Sequence, residues 1–288
     1  MITVVMPSFY SATLVKERIL EIGNDTQILI IENSKDMNLK TELEKNFNNV
    51  KVIIPEENMG WGKAINLGIK NSKTEMVFIT QPDVKLIKNC IQKLKECILT
   101  FNDFAILTPV DENNEIYQNY ENLKFNSSVI DNNNFQLKEV DYVDLTWLIN
   151  KSKFAEKDLW DEKIFLYFEA KDFSKRVKDS YNKIFIAEKI NTYHIGSASH
   201  DPKFEYFNKL NRSWHYNWSK HYFNKKHHGI IFAYKKSFGQ LSRLIFKFLG
   251  AAFSLKFLRS KLILIEIYGL LSSMLCLPSF YRPYKNIK

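Results

Sequence analysis

Two kinds of segment alternate along the first 110 residues of the chain. Short apolar runs end in turn-forming residues, and amphipathic stretches of about ten residues separate them. The apolar runs are residues 2–6, 27–31, 50–54, 76–80 and 104–107. Continuous apolar strands that alternate with helices are typical of a parallel sheet covered on both faces. The pattern therefore predicts an α/β fold with a doubly wound, mostly parallel sheet of the Rossmann-like kind.

The pattern changes after this alternating region. Residues 111–140 are rich in Asn and acidic residues, and we expect them to form a loop or hairpin over the surface. Apolar runs at residues 140–149, 183–187 and 189–194 predict further strands.

The C-terminal part predicts helices instead of strands. Aromatic residues recur every three or four positions from Lys203 onward, which indicates one long helix. Residues 230–277 predict two more helices, apolar and basic, that separate near Gly250. We therefore predict a main domain over residues 1–228 and a helical, membrane-associating region over residues 229–288.

Charge divides the chain at nearly the same place. Residues 203–288 contain 16 Lys and Arg against two acidic residues, whereas residues 1–202 contain 25 against 30. The tail is therefore expected to face an anionic surface or partner. Its most apolar stretch, Leu262–Leu277, is short for a membrane span, so a helix lying in the membrane interface is favoured over a plain helical bundle. The apolar stripes favour lipid over nucleic acid as the partner.

Cysteine usage and the N-terminus point to a reducing compartment. Cys90, Cys97 and Cys276 lack the spacing of metal ligands and are read as reduced residues. The first residues form an apolar strand without a basic segment before it, so no secretory signal is predicted. We expect the protein in the cytoplasm, peripheral on the inner face of the cell membrane.

The central apolar run ends in a carboxylate. Asp83 follows residues 76–80 across a Pro-Asp turn, with a helix predicted from about Val84. Open α/β sheets bind ligands at the C-terminal ends of their strands, so Asp83 is the first candidate for a metal or phosphate contact. The alternative is that Asp83 caps the following helix.

Polar groups follow the first two strands as well. Pro7, Ser8 and Phe9 come after the first strand, and Glu32 and Asn33 after the second. A carboxylate at that point of a βαβ unit can accept hydrogen bonds from ribose hydroxyls or a base. Neither the glycine-rich dinucleotide fingerprint nor the P-loop is present in the sequence.

A glycine-containing loop opens the helix before the central strand. Gly60 and Gly62 allow the backbone to approach a ligand closely, and the loop runs on to Asn66. Lys63 lies in the first helical turn, where a cation opposes the helix dipole, so a nearby phosphate would rationalise it. The alternative for Lys63 is a solvated surface position.

Later residues add candidate acid–base groups. Glu169 and Asp172 are three apart at a predicted helix start, where one can act as a general base on a hydroxyl or both can serve the helix terminus. His194 ends a predicted strand. Imidazole together with a carboxylate is a plausible ligand set for Mn²⁺ or Mg²⁺.

These pieces together resemble a family 2 glycosyltransferase of the GT-A fold, in particular its bacterial rhamnosyltransferase-like branch. The matching segments are residues 4–9, 30–34, 58–69, 80–84, 165–169 and 194–196, and residues 211–213 with 220–223 also resemble that branch. The resemblance covers about residues 1–228.

The resemblance implies a role for each candidate. Pro7 to Phe9, Glu32 with Asn33, the Gly60–Asn66 loop and Gln81 would hold the nucleotide of a sugar donor. Asp83 would be the last residue of an Asp-x-Asp-type motif at a Mg²⁺ or Mn²⁺ ion, with His194 as a further ligand. The base would come from Glu169 to Asp172.

Three positions depart from the family pattern. The first position of the metal motif is Gln81 and not Asp, and the nucleotide carboxylate is Glu32 where Asp is usual. Ala170 stands where the family commonly has the Asp that acts as base, so Glu169 or Asp172 would have to take over.

The expected function is an inverting transfer of a sugar from a dTDP-, UDP- or GDP-linked donor to a hydroxyl group. The acceptor would be a lipid-linked or surface glycan, and an anionic membrane would be the further partner. A catalytically inactive, membrane-attached binding subunit is the main alternative. A sugar nucleotidyltransferase is disfavoured, because Pro7-Ser8-Phe9-Tyr10-Ser11 is not the glycine-rich loop that such enzymes would need after the first strand.

Overall fold

The computed structural model describes residues 1–112, 120–122, 129–131, 135–155, 159–196 and 204–283. Two compact units are present. The sheet unit comprises residues 1–161 and 170–201, and the helical unit comprises residues 162–169 and 202–288. Most of the surface excursion predicted at residues 111–140 lies outside the described residues.

The sheet unit alternates strands and helices in its first half, as predicted. Its strands are β1 (Ile2–Ser8), β2 (Gln27–Glu32), β3 (Val50–Ile53), β4 (Met76–Ile79), β5 (Val84–Leu86), β6 (Ile106–Asp111), β7 (Tyr120–Asn122), β8 (Val129–Asp131), β9 (Gln136–Val143), β10 (Trp147–Asn150) and β11 (Ile184–His194). Its helices are α1 (Ala12–Ile22), α2 (Met37–Asn46), α3 (Trp61–Asn71), α4 (Cys90–Thr100) and α5 (Glu169–Asp179), whose first residue is assigned to the helical unit.

The sheet is mixed, with strand order β3-β2-β1-β4-β10-β6-β11-β9-β7 among the described residues. Strands β3, β2, β1 and β4 are parallel, as predicted, whereas β10 is antiparallel to both β4 and β6. The apolar run at residues 140–149 forms two strands and not one. Residues 184–194 form one strand where two were predicted, with a register shift between Ala187 and Asn191.

The segment after Asp83 also differs from the prediction. It forms strand β5, and helix α4 begins only at Cys90. Val84 and Leu86 are buried while Lys85 between them is exposed, which is the two-residue period of a strand. Asp83 therefore does not cap a helix.

Apolar side chains cover both faces of the sheet. One buried cluster includes residues of α1, α2 and α4, and the other includes residues of α3 and α5. In the second cluster the ring of Trp160 stacks on Phe173 at 3.9 Å and meets Trp147 edge-on at 6.0 Å. These indoles are core residues, since both are at most 2% exposed.

The described residues of the helical unit form three helices: α6 (Glu205–His228), α7 (Ile230–Phe253) and α8 (Phe257–Met274). The two helices predicted over residues 230–277 are present, and the break between them lies slightly after Gly250, because α7 runs on to Phe253 and the chain turns at Leu255, which has a φ of 54°. Among the described residues, no helix combines the length and apolarity that crossing a membrane requires.

Helices α6 and α8 approach each other closely at one glycine. A Cβ atom added to Gly269 would lie 2.3 Å from the carbonyl oxygen of Trp214, which is backbone and cannot rotate away. Trp214 is fully buried and packs against Tyr281 with ring centroids 5.6 Å apart. The absence of a side chain at Gly269 therefore sets the spacing of these two helices.

Substituting this glycine is predicted to destabilise the helical unit. Gly269→Ala should lower the free energy of unfolding by about 2 kcal/mol, because the methyl group forces α6 and α8 apart. Gly239→Ala is the matched control, since nothing lies within 4 Å of the Cβ that would be added there. That control should be neutral or stabilise the chain by about 0.5–1 kcal/mol through helix propensity. Thermal unfolding followed by circular dichroism measures both, and equal midpoints would refute the close approach.

Candidate active site

Unpartnered polar atoms mark the C-terminal ends of the parallel strands. Ser8 ends β1, Glu32 ends β2 and Thr80 follows β4, and all three are buried. Glu32 Oε1 accepts hydrogen bonds from the backbone N–H and the hydroxyl of Ser34, the former at 2.7 Å. Glu32 Oε2, Ser8 Oγ and Thr80 Oγ1 have no hydrogen-bond partner among the described residues. Because buried polar atoms in proteins are normally paired, these atoms are candidates for hydrogen bonds to a polar ligand.

Asn33 connects this edge to the glycine loop. Its backbone N–H donates to Ser8 O at 2.8 Å, and its side-chain amide donates to Gly60 O at 3.4 Å. The amide oxygen accepts from the N–H of Met59 at 3.3 Å. Gly60 has a φ of 81°, a conformation that favours glycine, and helix α3 begins at the next residue. The loop and the two strand ends are therefore one connected structure.

The remaining predicted donor residues take several positions. Pro7 pairs in register with Ile31 inside the sheet, and the ring of Phe9 contacts Tyr10 edge-on at 4.6 Å. Lys63 lies exposed in the first turn of α3, as predicted from the sequence.

Strand β5 brings Asp83 and His194 together. It pairs antiparallel with β11, which places Val84 opposite His194. The carboxylate oxygen Oδ2 of Asp83 lies 3.4 Å from His194 Nε2, although 111 residues separate the two in sequence. The hydrogen bond that the His194 imidazole donates to the Asp83 carboxylate raises the pKa of His194, and nearby carboxylates add to this shift while partial burial opposes it.

Two further carboxylates lie near this histidine, and neither was predicted from the sequence. Asp111 ends β6, is fully buried, and accepts the backbone N–H of His194 at 2.9 Å. Asp144 lies between β9 and β10, where it accepts the hydroxyl of Tyr142 at 2.6 Å, and burial raises its pKa. Asp111 directly follows an apolar run, which is the same signal that identified Asp83, whereas Asp144 lies within the run at residues 140–149.

Helix α1 holds the turn that carries Asp83. Arg18, which is only 1% exposed, donates from Nη1 to Pro82 O at 3.3 Å and pairs with Glu21 at 2.8 Å. Glu21 in turn accepts the backbone N–H of Leu86 at 2.9 Å. Arg18 was also missed, although it falls on the apolar face of its helix.

The donor set at Asp83 and His194 fits a divalent cation bound partly by its substrate. Within the described ranges, no three His, Cys, Asp or Glu side chains form a metal-binding group. Mg²⁺ is commonly bound by one or two carboxylates together with substrate phosphates, so two protein ligands suffice for that kind of site. Mn²⁺ accepts the same mixture of carboxylate and imidazole.

Three predicted site residues are engaged in contacts within the fold. The amide of Asn66 donates to Trp160 O at 2.8 Å and accepts from the N–H of Trp160 at 3.1 Å. Gln81 donates to Leu145 O at 3.2 Å, which ties β4 to the turn before β10.

The third is Asp172, which is fully buried and paired with Arg176 Nε at 2.8 Å. The guanidinium of Arg176 also donates to Leu159 O at 2.6 Å. Glu169 is the first residue of α5, and its charge acts on the Tyr167 hydroxyl in the helical unit. Ala170, one residue on, is buried in the apolar cluster of α3 and α5.

Comparisons with known proteins identify the family. The sequence model of the family described as Glycosyl transferase family 2 matches residues 3–158, which is more than half of the chain. The chain is similar to the solved S. aureus TarS 1–349 structure at 18% identity and a TM-score of 0.52, covering 74% of this chain and 64% of that one. No curated protein matches the chain significantly.

A second solved structure agrees over almost the whole chain. It is the mannosyltransferase PcManGT from Pyrobaculum calidifontis in complex with GDP-Man and Mn²⁺, at 10% identity and a TM-score of 0.56, covering 95% of this chain and 86% of that one. At these identities the likeness establishes the fold, a GT-A-like mixed sheet followed by helices α6 to α8. The rhamnosyltransferase-like branch stays a prediction. The family match shows that this chain belongs to glycosyl transferase family 2.

Proposed function

We propose that this glycosyltransferase moves a sugar from a nucleoside-diphosphate donor to an acceptor hydroxyl by an inverting displacement. The observation that carries the proposal is the contact of Asp83 with His194 at the edge of the sheet where Ser8 and Glu32 end their strands. A cation ligand pair and unpartnered polar atoms at one edge suit the two ends of a nucleoside diphosphate.

The nucleoside is assigned to the ends of β1 and β2. Glu32 Oε2 accepts a hydrogen bond from a base N–H or a ribose hydroxyl, which pairs an atom that the fold leaves unpaired. Ser8 Oγ donates or accepts next to it, since Ser8 and Glu32 are opposite each other in the sheet register. Asn33 and Gly60 fix the loop backbone against this edge.

The diphosphate is assigned to the Asp83–His194 pair. The solved mannosyltransferase similar to this chain holds GDP-Man and Mn²⁺, which supports a Mn²⁺ or Mg²⁺ ion here. Such an ion, bound by Asp83 and His194, would stabilise the charge that collects on the departing diphosphate. Asp111 holds the His194 backbone in place, and Arg18 holds the turn before Asp83.

Glu169 is the proposed general base. Asp172 is committed to its ion pair with Arg176, and Ala170 carries no acid group. Glu169, the first residue of α5, is the carboxylate that we assign to deprotonating the acceptor hydroxyl as the new bond forms.

The acceptor is proposed to be a lipid-linked or surface glycan, to which the sugar is transferred at an anionic membrane surface. Support comes from the corner between α7 and α8, where Phe253, Leu255 and Phe257 are more than 70% exposed. Lys256 lies between Leu255 and Phe257, and Arg259 follows two residues later. Exposed aromatic and aliphatic side chains interleaved with cations suit a helix pair that dips into a membrane interface.

Ala170 favours one other candidate function. A chain that kept the donor site but had no base would be a sugar-nucleotide-binding subunit without transferase activity. Donor binding without any transfer to a panel of acceptors would support that function over the catalytic one.

Nucleotide binding is the first prediction from this proposal. UDP, dTDP or GDP with Mn²⁺ should stabilise the chain by about 2.7 kcal/mol at a hundredfold excess over Kd, because the ligand binds only the folded state. Asp83→Asn should remove the Mn²⁺-dependent part of the thermal shift, whereas Asp25→Asn, at an exposed loop position, should leave it intact. If no nucleotide in the series shifts the midpoint, the donor site is refuted.

The assignment of the base gives a second prediction. Glu169→Gln should lower kcat by about 100-fold or more with little change in stability, because it removes a proton acceptor from the reaction. Asp172→Asn should instead cost roughly 3 kcal/mol of stability, because it leaves Arg176 without its buried partner. Initial rates and thermal unfolding of both variants separate these roles. Full activity of Glu169→Gln would remove the assignment and direct attention to Asp144.

Membrane attachment gives a third prediction. Phe253→Ser with Phe257→Ser should weaken binding to anionic vesicles by tenfold or more, because two exposed rings no longer enter the interface. Leu20→Ser with Leu99→Ser, at positions 70% and 84% exposed on the sheet unit, is the matched control and should bind as the parent does. Vesicle co-sedimentation of the full chain measures both. Unchanged sedimentation of the phenylalanine variant would refute the corner as the anchor.

A further inference from the structure

A cavity in the helical unit has no part in the donor site described above. Its volume is about 480 Å³, and it lies among helices α6, α7 and α8 and the segment before Glu169. Tyr167 contributes from that segment, Arg212 from α6, Arg243 and Lys247 from α7, and Glu266 from α8. Every described residue that lines it belongs to the helical unit.

The charge of the cavity is predominantly positive. Among its described lining residues, the cations are Arg212, Arg243 and Lys247, and the carboxylate is Glu266. Burial raises the pKa of Glu266, which favours its neutral form, and Lys247 only partly offsets this. In the described part of the chain, neither Arg212 nor Lys247 has a carboxylate within ion-pair distance. Positive charge that the protein itself does not neutralise is available to an anionic ligand.

A fourth cation adds to the positive charge around the cavity. Lys220 on α6 lies about 6.0 Å from the ring centroid of Tyr216, another residue of the cavity wall. Burial lowers the pKa of Lys220, and repulsion from Arg243 and Lys236 lowers it further. Like charges are therefore held close together here at an electrostatic cost, and a bound anion would relieve that cost.

Neutral hydrogen-bonding groups in the cavity wall are already ordered. Asn217 on α6 accepts a hydrogen bond from the side-chain amide of Gln240 on α7, and its own amide donates to Ser213 O at 2.7 Å. All three residues line the cavity. The hydrogen bond between Asn217 and Gln240 connects α6 to α7. The backbone positions of Arg212 on α6 and Arg243 on α7 are therefore fixed relative to each other.

The cavity is also electrostatically linked to the proposed base. Tyr167 lines it, and burial raises the pKa of its hydroxyl to about 12, while Arg212 lowers that pKa and Glu169 raises it. The Tyr167 hydroxyl therefore lies within electrostatic range both of a cavity cation and of the carboxylate assigned to the acceptor hydroxyl. A ligand held in the cavity would therefore lie within electrostatic range of the proposed base, Glu169.

We propose that this cavity binds the phosphate or diphosphate group of an amphipathic, lipid-linked acceptor, which rests on the glycosyltransferase function proposed above. Arginine pairs match phosphate oxygens in geometry and charge. Helix α7, which supplies Arg243 and Lys247, also exposes the apolar side chains of Phe246 and Leu249, which suit the lipid part of the same molecule. The donor diphosphate belongs to the sheet unit, so the chain would have two separate anion sites.

Calorimetric titration of the full chain with geranyl diphosphate, in EDTA and without nucleotide, tests this assignment. Excluding metal and nucleotide separates it from the donor site, so each site can fail alone. Arg212→Gln with Arg243→Gln should weaken binding at least tenfold. Both side chains are solvent-exposed, so the variant is expected to fold, and an unchanged circular dichroism spectrum verifies this.

Lys209→Gln with Lys235→Gln is the matched control, since it removes the same charge from exposed positions of α6 and α7 outside the cavity. It should bind geranyl diphosphate as the parent chain does, and so should Asp83→Asn. Equal affinity of the parent and of the Arg212/Arg243 variant would overturn the proposal. Equal losses in the arginine and lysine variants would do the same, because they would indicate only a nonspecific charge effect.

Two other ligands distinguish the sources of the phosphate. Inorganic pyrophosphate lacks the lipid part, and dihexanoyl phosphatidylglycerol carries the headgroup of a membrane lipid. Geranyl diphosphate should bind at least tenfold more tightly than either. Equal binding of pyrophosphate would overturn the lipid-linked assignment in favour of a soluble phosphate compound. Equal binding of the phospholipid would overturn it in favour of a membrane headgroup.

Discussion

The pairing of β5 with β11 is the interaction on which the proposed donor site depends. It spans more than one hundred residues of sequence and places Val84 opposite His194. The carboxylate that precedes Val84 therefore meets the imidazole that ends β11. Arg18 on helix α1 contacts the same turn. Its buried guanidinium donates to Pro82 O and is paired with Glu21. Neither Asp83 nor His194 would have a defined position without these backbone contacts.

Function and stability are opposed at this edge of the sheet. The fold buries Ser8, Glu32 and Thr80 with polar atoms that no described group satisfies, and such atoms destabilise a folded chain by about 1–3 kcal/mol each. The two apolar clusters that cover the sheet supply the compensating stability. A nucleotide that pairs these atoms would stabilise the folded state through the same groups that recognise it.

Basic residues in the helical unit have two proposed roles, membrane binding and phosphate binding, and the residues in each role have different surroundings. At the corner of α7 and α8, cations stand among exposed apolar side chains, which suits a diffuse anionic surface. In the cavity, Arg212 and Arg243 stand among ordered polar groups, which suits a discrete phosphate. An acceptor with a phosphate and a lipid tail has both properties, so one substrate chemistry accounts for both features.

The apolar pattern by itself determined the first half of the fold and the strand ends that carry Ser8, Glu32 and Asp83. Those features depend on the spacing of apolar and polar residues over short stretches of the chain, and that spacing can be read from neighbouring residues. Tertiary structure alone decided that residues 84–86 form a strand, because that strand exists only through its partner β11. It also decided that Asn66 and Asp172 make contacts within the fold and that Arg18, Asp111 and Asp144 surround the site. Those outcomes depend on which distant residue each side chain meets, and no local pattern encodes that.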